Sequence, residues 1–260
     1  MSLASVAPGA TQRHLVGDLA CAVDPVMFAR SAGITPDGWQ ADVLRSGASR
    51  MLLNCSRQSG KSTTTAILGL HQAIYTPSSL VLILSPSLRQ SAEFFRTLAN
   101  LYTATGATVP PKAESALRLE LENGSRVISL PATEATIRGY AAVALLLIDE
   151  AARVPDPLYS AVRPMLATSG GRMIALSTPW GRRGWWSDSW HGPDDWKRVL
   201  VPAEQCPRIP KHFLDEERRT LGEWWFSQEY GCQFADSDTS VFRTEDIDRA
   251  FKEGIDQWPL

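Results

Sequence analysis

The sequence predicts an α/β fold with a mostly parallel central sheet flanked by helices. Two observations carry this prediction. Several strands are continuous apolar runs, such as Leu80 to Ser85 and Ala144 to Ile148, and such runs are typical of sheets covered on both faces. Helical segments alternate with the strands from about residue 34 onward, in a chain of 260 residues. That length suits one large domain or two small ones.

The composition excludes several classes of protein. Hydrophobic residues make up 44% and charged residues 21% of the chain, as in ordinary globular proteins, and the net charge of −2 excludes a histone-like chain. The longest uncharged apolar run, at 141–148, is far shorter than the roughly 18 residues that span a bilayer, and the N-terminus lacks a secretion signal. The four cysteines form no CxxC pair, so neither zinc nor disulfides are expected.

Capping and turn signals set the order of the elements. Residues 1–23 show no sustained period and are interpreted as a mobile arm, which Asp24-Pro25 ends by opening a short helix to about Ser31. Asn123-Gly124 lies between two alternating segments and predicts a β-hairpin. The predicted strands are 51–55, 80–85, 117–121, 126–130, 144–148 and 173–177, and the longer helices are 61–75, 87–105, 211–220 and 223–232.

A glycine-lysine-serine sequence lies between the first core strand and the helix after it. Backbone N–H groups of such a loop converge on phosphate oxygens, and the helix N-terminus adds positive potential. Lys61 would reach the β- and γ-phosphates, the Ser62 hydroxyl would join a Mg²⁺ shell, and Gly60 permits close approach. Cys55 replaces the usual first glycine, and Arg57 adds a charge. The predicted nucleotide-binding residues here are Ser56, Arg57, Gln58, Ser59, Gly60, Lys61, Ser62 and Thr63.

Two carboxylates follow the apolar strand at 144–148. Ligands bind at the carboxyl edge of open α/β sheets, where Asp149 and Glu150 are expected. Asp149 is predicted to hold Mg²⁺, and Glu150 to orient and polarise a water for in-line attack on a γ-phosphate. With the loop, this pair predicts a P-loop NTPase of the ASCE type, an enzyme that hydrolyses ATP to ADP and phosphate with Mg²⁺ as cofactor.

Other candidates carry weaker signals. Gln40, beside Trp39, offers an amide donor and acceptor to an adenine edge, although a helix start explains the pair equally well. Hydroxyls at the end of the strand 173–177 could sense the γ-phosphate and relay its loss, with a simple turn as the alternative. The candidate coupling residues are Ser177, Thr178 and Pro179.

Seven of the nine tryptophans fall between residues 180 and 225, interspersed with cationic residues. This pattern could form a stacking platform for single-stranded nucleic acid, but we interpret the tryptophans as packing residues. The cationic residues are candidates for phosphate contacts: Arg182, Arg183, Lys197 and Arg198.

The order and spacing of several motifs resemble the large terminase subunits of tailed bacteriophages, the ATPase motors that pump DNA into procapsids. The loop 56–62, with its internal arginine, is similar to the deviant phosphate loop of that family. The resemblance covers about residues 36–245. Further matches are Ile-Arg-Gly at 137–139, Ile-Asp-Glu-Ala-Ala at 148–152, Ser-Thr-Pro-Trp-Gly at 177–181, Gln-Glu-Tyr-Gly-Cys-Gln-Phe at 228–234 and Ser-Val-Phe at 240–242.

The resemblance implies a role for each matched residue. Glu150 would be the catalytic carboxylate, and Arg57 would help close the loop on the γ-phosphate. Arg138 would be a finger that reaches the γ-phosphate of a neighbouring subunit, whereas without the resemblance it reads as a surface arginine beside glycine. Residues 177–179 would form the coupling motif. MgATP would be bound by Lys61, Ser62 and Asp149.

The resemblance also implies domains and partners. Residues 1–33 would be an arm with a short helix, 34–203 the ATPase core, 204–245 a helical lid subdomain that swings with nucleotide state, and 246–260 a linker. Large terminases typically continue into an RNase H-like nuclease domain, and this chain stops at Leu260, so we expect no DNA cleavage from it. Double-stranded DNA, a ring of further copies (a pentamer), the portal protein and the small terminase subunit would be its partners, in the host cytoplasm and without a membrane.

Two other functions stay open from the residues. A helicase-like nucleic-acid-dependent ATPase would suit Gln40 and the Asp149-Glu150 strand end, although helicases typically carry two tandem core domains. A scaffold that binds ATP without useful turnover is the other alternative. The presence of both Lys61 and Glu150 argues against a scaffold.

Overall fold

The computed structural model describes residues 9–133, 137 and 139–235. These residues form one eight-stranded sheet with helices packed on it. The strands are β1 (Arg50–Cys55), β2 (Leu80–Ser85), β3 (Pro111–Ser115), β4 (Arg118–Leu121), β5 (Arg126–Pro131), β6 (Leu145–Asp149), β7 (Arg172–Ser177) and β8 (Lys197–Val201). The helices are α1 (Gly9–Val23), α2 (Pro25–Ser31), α3 (Gly38–Leu44), α4 (Lys61–Tyr75), α5 (Leu88–Ala104), α6 (Asp156–Val162), α7 (Gly184–His191) and α8 (Lys211–Glu229).

The strand order is β3-β4-β5-β2-β6-β7-β1-β8. Strands β3, β4 and β5 pair antiparallel, and all other neighbours pair parallel. Side chains alternate between the two faces, so Met51 and Leu53 join a core with α2 to α5 while Leu52 joins the opposite core with α6 and α7. The predicted mostly parallel sheet, covered on both faces, is confirmed.

The strongly patterned segments form where the sequence predicts them. Helix α4 and strand β2 have the predicted bounds, and Asp24 caps α2 by accepting a hydrogen bond from Val26 N–H at 3.0 Å. The Asn123-Gly124 hairpin joins β4 to β5. Helix α8 spans the predicted stretch 211–220 and most of 223–232, ending at Glu229, with a kink between them at Gly222, whose φ is +78°.

Residues 9–23 form α1, whereas the sequence predicts an arm without regular structure over 1–23. The reason is tertiary, because α1 lies against α4. The His71 imidazole Nε2 lies 3.0 Å from the Cys21 carbonyl oxygen, and the Tyr75 hydroxyl donates to Asp18 Oδ1 at 2.9 Å. Contacts across the chain therefore support a helix whose own apolar period is weak.

Besides α1, two strands and three helices were not predicted: β3, β8, α3, α6 and α7. Every residue of β3 is exposed, and β8 begins with two charged residues, so neither has an apolar strand pattern. Strand β8 pairs with β1 in parallel register, which places Val201 opposite Cys55. The chain therefore leaves β8 at the same edge of the sheet as the glycine-lysine-serine loop.

The sequence predicts that the tryptophans between residues 180 and 225 are packing residues, which holds for most of them but not for Trp225, which is 40% exposed. Trp185, Trp186 and Trp196 are buried in the core beneath α6 and α7. Arg198, a candidate for phosphate contacts, instead donates to backbone carbonyls between residues 189 and 196, at distances from 2.7 to 3.2 Å. These hydrogen bonds stabilise the turn after α7. No helix in the described part of the chain is long and apolar enough to cross a bilayer.

Candidate active site

The carboxyl ends of six adjacent parallel strands, β5-β2-β6-β7-β1-β8, form one edge of the sheet. Asp149 on β6 lies opposite Leu176 on β7, and Asn54 on β1 lies opposite Ser177. Because the strands are parallel and in register, the loop after β1, the acidic end of β6 and the polar end of β7 meet along this edge.

The loop after β1 is held at its start and open at its end. Ser56 N–H donates to Val201 O at 3.0 Å, and Arg57 N–H donates to Glu229 O at 3.2 Å. By contrast, the backbone N–H groups of residues 58–63 donate to no described residue, and the first helical bond runs from Thr64 to Gly60. Consecutive unpartnered amides at a helix N-terminus form a site for an anion.

Gly60 is required at this position. Its φ is +87°, and a Cβ there would lie 2.8 Å from Gln40 Nε2. Both the left-handed backbone and the close approach of Gln40 exclude a larger side chain without strain.

Four residues predicted for the site lie together at its centre. Lys61 Nζ is 3.7 Å from Glu150 Oε1, and the Ser62 hydroxyl donates to Asp149 Oδ1 at 3.4 Å. Lys61 and Asp149 are both buried. Glu150 has a φ of +48°, a left-handed conformation that costs free energy for a residue with a side chain and is common at functional sites.

The electrostatics of the centre favour a cation. Burial, together with the neighbouring Glu150 charge, raises the pKa of Asp149 to about 7, although Lys61 opposes both effects. Two carboxylates therefore share one ammonium in a poorly solvated place. A hydroxyl and a carboxylate are hard oxygen donors of the kind Mg²⁺ binds alongside phosphate oxygens, so Ser62 and Asp149 fit that ion.

Arg57 does not point at this centre. Its Nε donates to Glu229 Oε2 at 2.6 Å, at the end of α8, and this hydrogen bond raises the pKa of the guanidinium. More than half of the Arg57 side chain is exposed. The loop is therefore tied to α8 by both the backbone and the side chain of one residue. Glu229 belongs to the matched segment 228–234, but no sequence signal predicts that it pairs with Arg57.

Gln40 lies beside the loop with half of its amide already used. Its Oε1 accepts a hydrogen bond from Asp37 N–H at 2.8 Å, which leaves only the Nε2 donor for a ligand. Trp39 is half-buried and packs against the core. Arg208, a residue missed in the sequence, donates from Nη2 to Ser59 O at 2.7 Å.

The end of β7 contacts the segment that carries Glu150. The Ser177 hydroxyl accepts a hydrogen bond from Ala152 N–H at 3.2 Å and donates to Thr178 O at 2.7 Å. Thr178 is buried, as is Pro179. Trp180 follows, with the Arg153 guanidinium 4.0 Å from its ring centre. Arg138 lies outside the described residues.

Comparison with known proteins assigns the family. The model of the family described as "Terminase large subunit, T4likevirus-type, N-terminal" matches residues 52–249. This chain belongs to the terminase large subunit family. It is 26% identical over 224 residues to the large terminase subunit of Escherichia phage T5, covering 82% of this chain and 51% of that protein. It is 25% identical over 263 residues to that of Thermus virus P23-45, covering 85% and 53%.

Solved structures support the fold of this terminase chain. The large terminase ATPase domain of Thermus phage P74-26 superposes with a TM-score of 0.70 at 22% identity, covering 80% of this chain and 97% of that one. A large terminase of another thermophilic bacteriophage, solved in complex with ADP, superposes with a TM-score of 0.66 at 11% identity, covering 77% and 54%. The chain spans about half the length of the curated relatives it matches.

Proposed function

We propose that this chain is the ATP-hydrolysing motor domain of a viral or prophage DNA-packaging machine. The observation that carries the proposal is the meeting of Lys61, Ser62, Asp149 and Glu150 beside a loop with open amides. A large terminase of similar fold was solved in complex with ADP, which supports nucleotide binding. Family membership supplies the packaging role.

Each residue of the site would have a separate role in hydrolysis. The amides of 58–63 and the Lys61 ammonium would bind the β- and γ-phosphates, and Ser62 and Asp149 would hold Mg²⁺, which neutralises charge on the phosphate oxygens when bound. Glu150 would accept a hydrogen bond from a water and orient it in line with the γ-phosphate. Arg57 would leave Glu229 to reach the same phosphate, and Arg138 of a neighbouring subunit would add charge.

Translocation would follow from the contacts of the site with two other elements. The Ser177 hydroxyl contacts the backbone just after Glu150, and Glu229 of α8 contacts Arg57. Loss of the γ-phosphate would therefore change both the coupling residues 177–179 and the helix that we propose as the lid. The partners would be double-stranded DNA, further copies in a ring, the portal protein and the small subunit.

Phosphate release from MgATP tests the enzyme assignment. Glu150→Ala should lower turnover by roughly 10²–10⁴-fold while nucleotide still binds, because only the water-orienting carboxylate is lost. Equal rates for variant and wild type would contradict the role of Glu150 and favour the scaffold alternative. Stimulation by duplex DNA without strand separation would distinguish a packaging motor from a helicase.

The finger role of Arg138 has its own experiment. Arg138→Ala should abolish turnover with nucleotide affinity nearly intact. Mixing it with Lys61→Ala subunits should restore part of the activity, since each variant supplies the residue that the other lacks. Absence of rescue at concentrations where the subunits assemble would argue against action between subunits.

A further inference from the structure

The segment between β8 and α8 carries an arginine that touches two other parts of the candidate site. Arg208 Nη2 donates to Ser59 O at 2.7 Å and lies 2.9 Å from Asp37 Oδ2. Asp37 Oδ2 is buried and accepts no well-aligned hydrogen bond, so its contact with Arg208 is electrostatic. Charge attraction and one hydrogen bond thus hold Arg208 over the loop.

Arg208 also forms part of the wall of a small cavity beside Gly60. The cavity measures about 50 Å³, room for one or two waters and too little for a purine base. Part of its lining is apolar, from Ile34, Leu44 and Ile67, and Gln40 contributes a polar amide. An apolar lining with a few convergent polar groups is typical of sites for the flat bases of cofactors.

Most of the Arg208 guanidinium is available to a ligand. Only Nη2 is used, and within the described ranges Nε and Nη1 have no hydrogen-bond partner. The side chain is 47% exposed. A planar, exposed guanidinium next to an apolar cavity is suited to stacking on an aromatic ring.

We propose that Arg208 binds the purine base of the nucleotide, an inference that rests on the proposed ATPase function. The cavity as it stands is too small for the base, so Arg208 would first move out of its wall, and the base would then lie against the apolar residues with its edge at Gln40 Nε2. The guanidinium would exchange its contacts with Ser59 and Asp37 for the exposed face of the base. Arg208 thereby belongs to the nucleotide-binding residues and would contact the nucleoside end of the ligand.

Two ligands separate this role from others. MgATP contains the base and inorganic tripolyphosphate does not, so calorimetric titration of both, with Mg²⁺, reports on each side of the site. Arg208→Ala should raise the Kd for MgATP about tenfold and leave the Kd for tripolyphosphate within about twofold of wild type. Arg208→Lys keeps a cation for Ser59 and Asp37 but not the planar face, and should also weaken MgATP binding.

Arg219 provides the matched control, because it is an exposed arginine on α8 whose one hydrogen bond to the described residues runs from Nε to Asp215 O. Arg219→Ala should leave both Kd values unchanged. Equal weakening of both ligands by Arg208→Ala would overturn the proposal and make Arg208 a residue that orients the loop. Unchanged or tighter MgATP binding would overturn it as well. If wild type binds neither ligand, the ATPase function itself fails, and this inference with it.

Discussion

The amino and carboxyl ends of the parallel strands use their polar groups in opposite ways. At the amino ends, Arg172 donates to the carbonyls of Ser46 and Ala48 at 2.8 and 3.1 Å, and Lys197 Nζ donates to Ser46 Oγ at 3.0 Å. At the carboxyl ends, the amides of 58–63 have no described partner and Asp149 is buried with a raised pKa. One sheet thus stabilises the fold at one edge and keeps groups open for a ligand at the other.

Replacing one lysine at each edge of the sheet should give the largest difference, and the difference should appear in nucleotide affinity. Lys61→Ala removes the cation next to Glu150 and the expected phosphate contact, so nucleotide affinity should fall about 100-fold. Lys197→Ala removes only an exposed hydrogen bond to Ser46 and should leave affinity unchanged. Titration with a fluorescent nucleotide measures both. Similar losses for the two variants would contradict the division between the edges.

Replacing one glycine at each edge compares the two edges again, this time by the free energy of unfolding. A Cβ at Gly171 would overlap the Val143 carbonyl oxygen, so Gly171→Ala should lower the free energy of unfolding by about 3 kcal/mol. Gly60→Ala meets the movable Gln40 side chain and a φ of +87°, so it should cost about 1 kcal/mol but impair nucleotide binding. Urea unfolding gives both values, and a wild-type midpoint for Gly171→Ala would disprove the tight packing at that edge.

Asp149→Asn should stabilise the metal-free protein. The pKa of Asp149 in the folded chain, about 7, lies above its ordinary value of 3.8, so the carboxylate destabilises the fold increasingly as the pH rises from 4 to 7. The variant should therefore be more stable than wild type by about 2 kcal/mol at pH 8, with a smaller difference at pH 5. Urea unfolding at both pH values checks this. A pH-independent difference would show that the charge is not the cause.

Arg172→Ala should have the smallest effect and only on stability. Loss of its two hydrogen bonds to backbone carbonyls should cost about 1 kcal/mol, because the side chain is half-buried and charged. Turnover of MgATP at a temperature where the variant is folded should equal that of wild type. Reduced turnover in the folded variant would mean that the amino edge contributes to the site.

The sequence predicts the fold best where one segment contains its own signals. Helix α4 begins at the glycine of the loop and has a long apolar face, and β2 is entirely buried, so both were predicted with their bounds. Strands β3 and β8 exist because a neighbour pairs with them: every residue of β3 is exposed, and β8 begins with two charged residues. Pairing across the chain leaves no local pattern to detect.

The same limit applies to the candidate site, where short motifs are predicted and long-range contacts are not. The loop and the acidic strand end are short, contiguous motifs, and the structure brings their residues together. Glu229 and Arg208 reach the loop from 172 and 149 residues away along the chain. Their positions depend on how β8 pairs with β1 and where α8 then packs. For that reason, the sequence suggested a phosphate-facing Arg57 without the carboxylate that holds it.

The open amides of the loop also make this protein's heat resistance depend on its ligand. A nucleotide that binds only the folded chain would raise the unfolding free energy by about 2.7 kcal/mol at a hundred times its Kd. Without bound nucleotide, the chain would unfold and be degraded more readily. Under the proposed function, the supply of nucleotide would then set how long the folded chain persists.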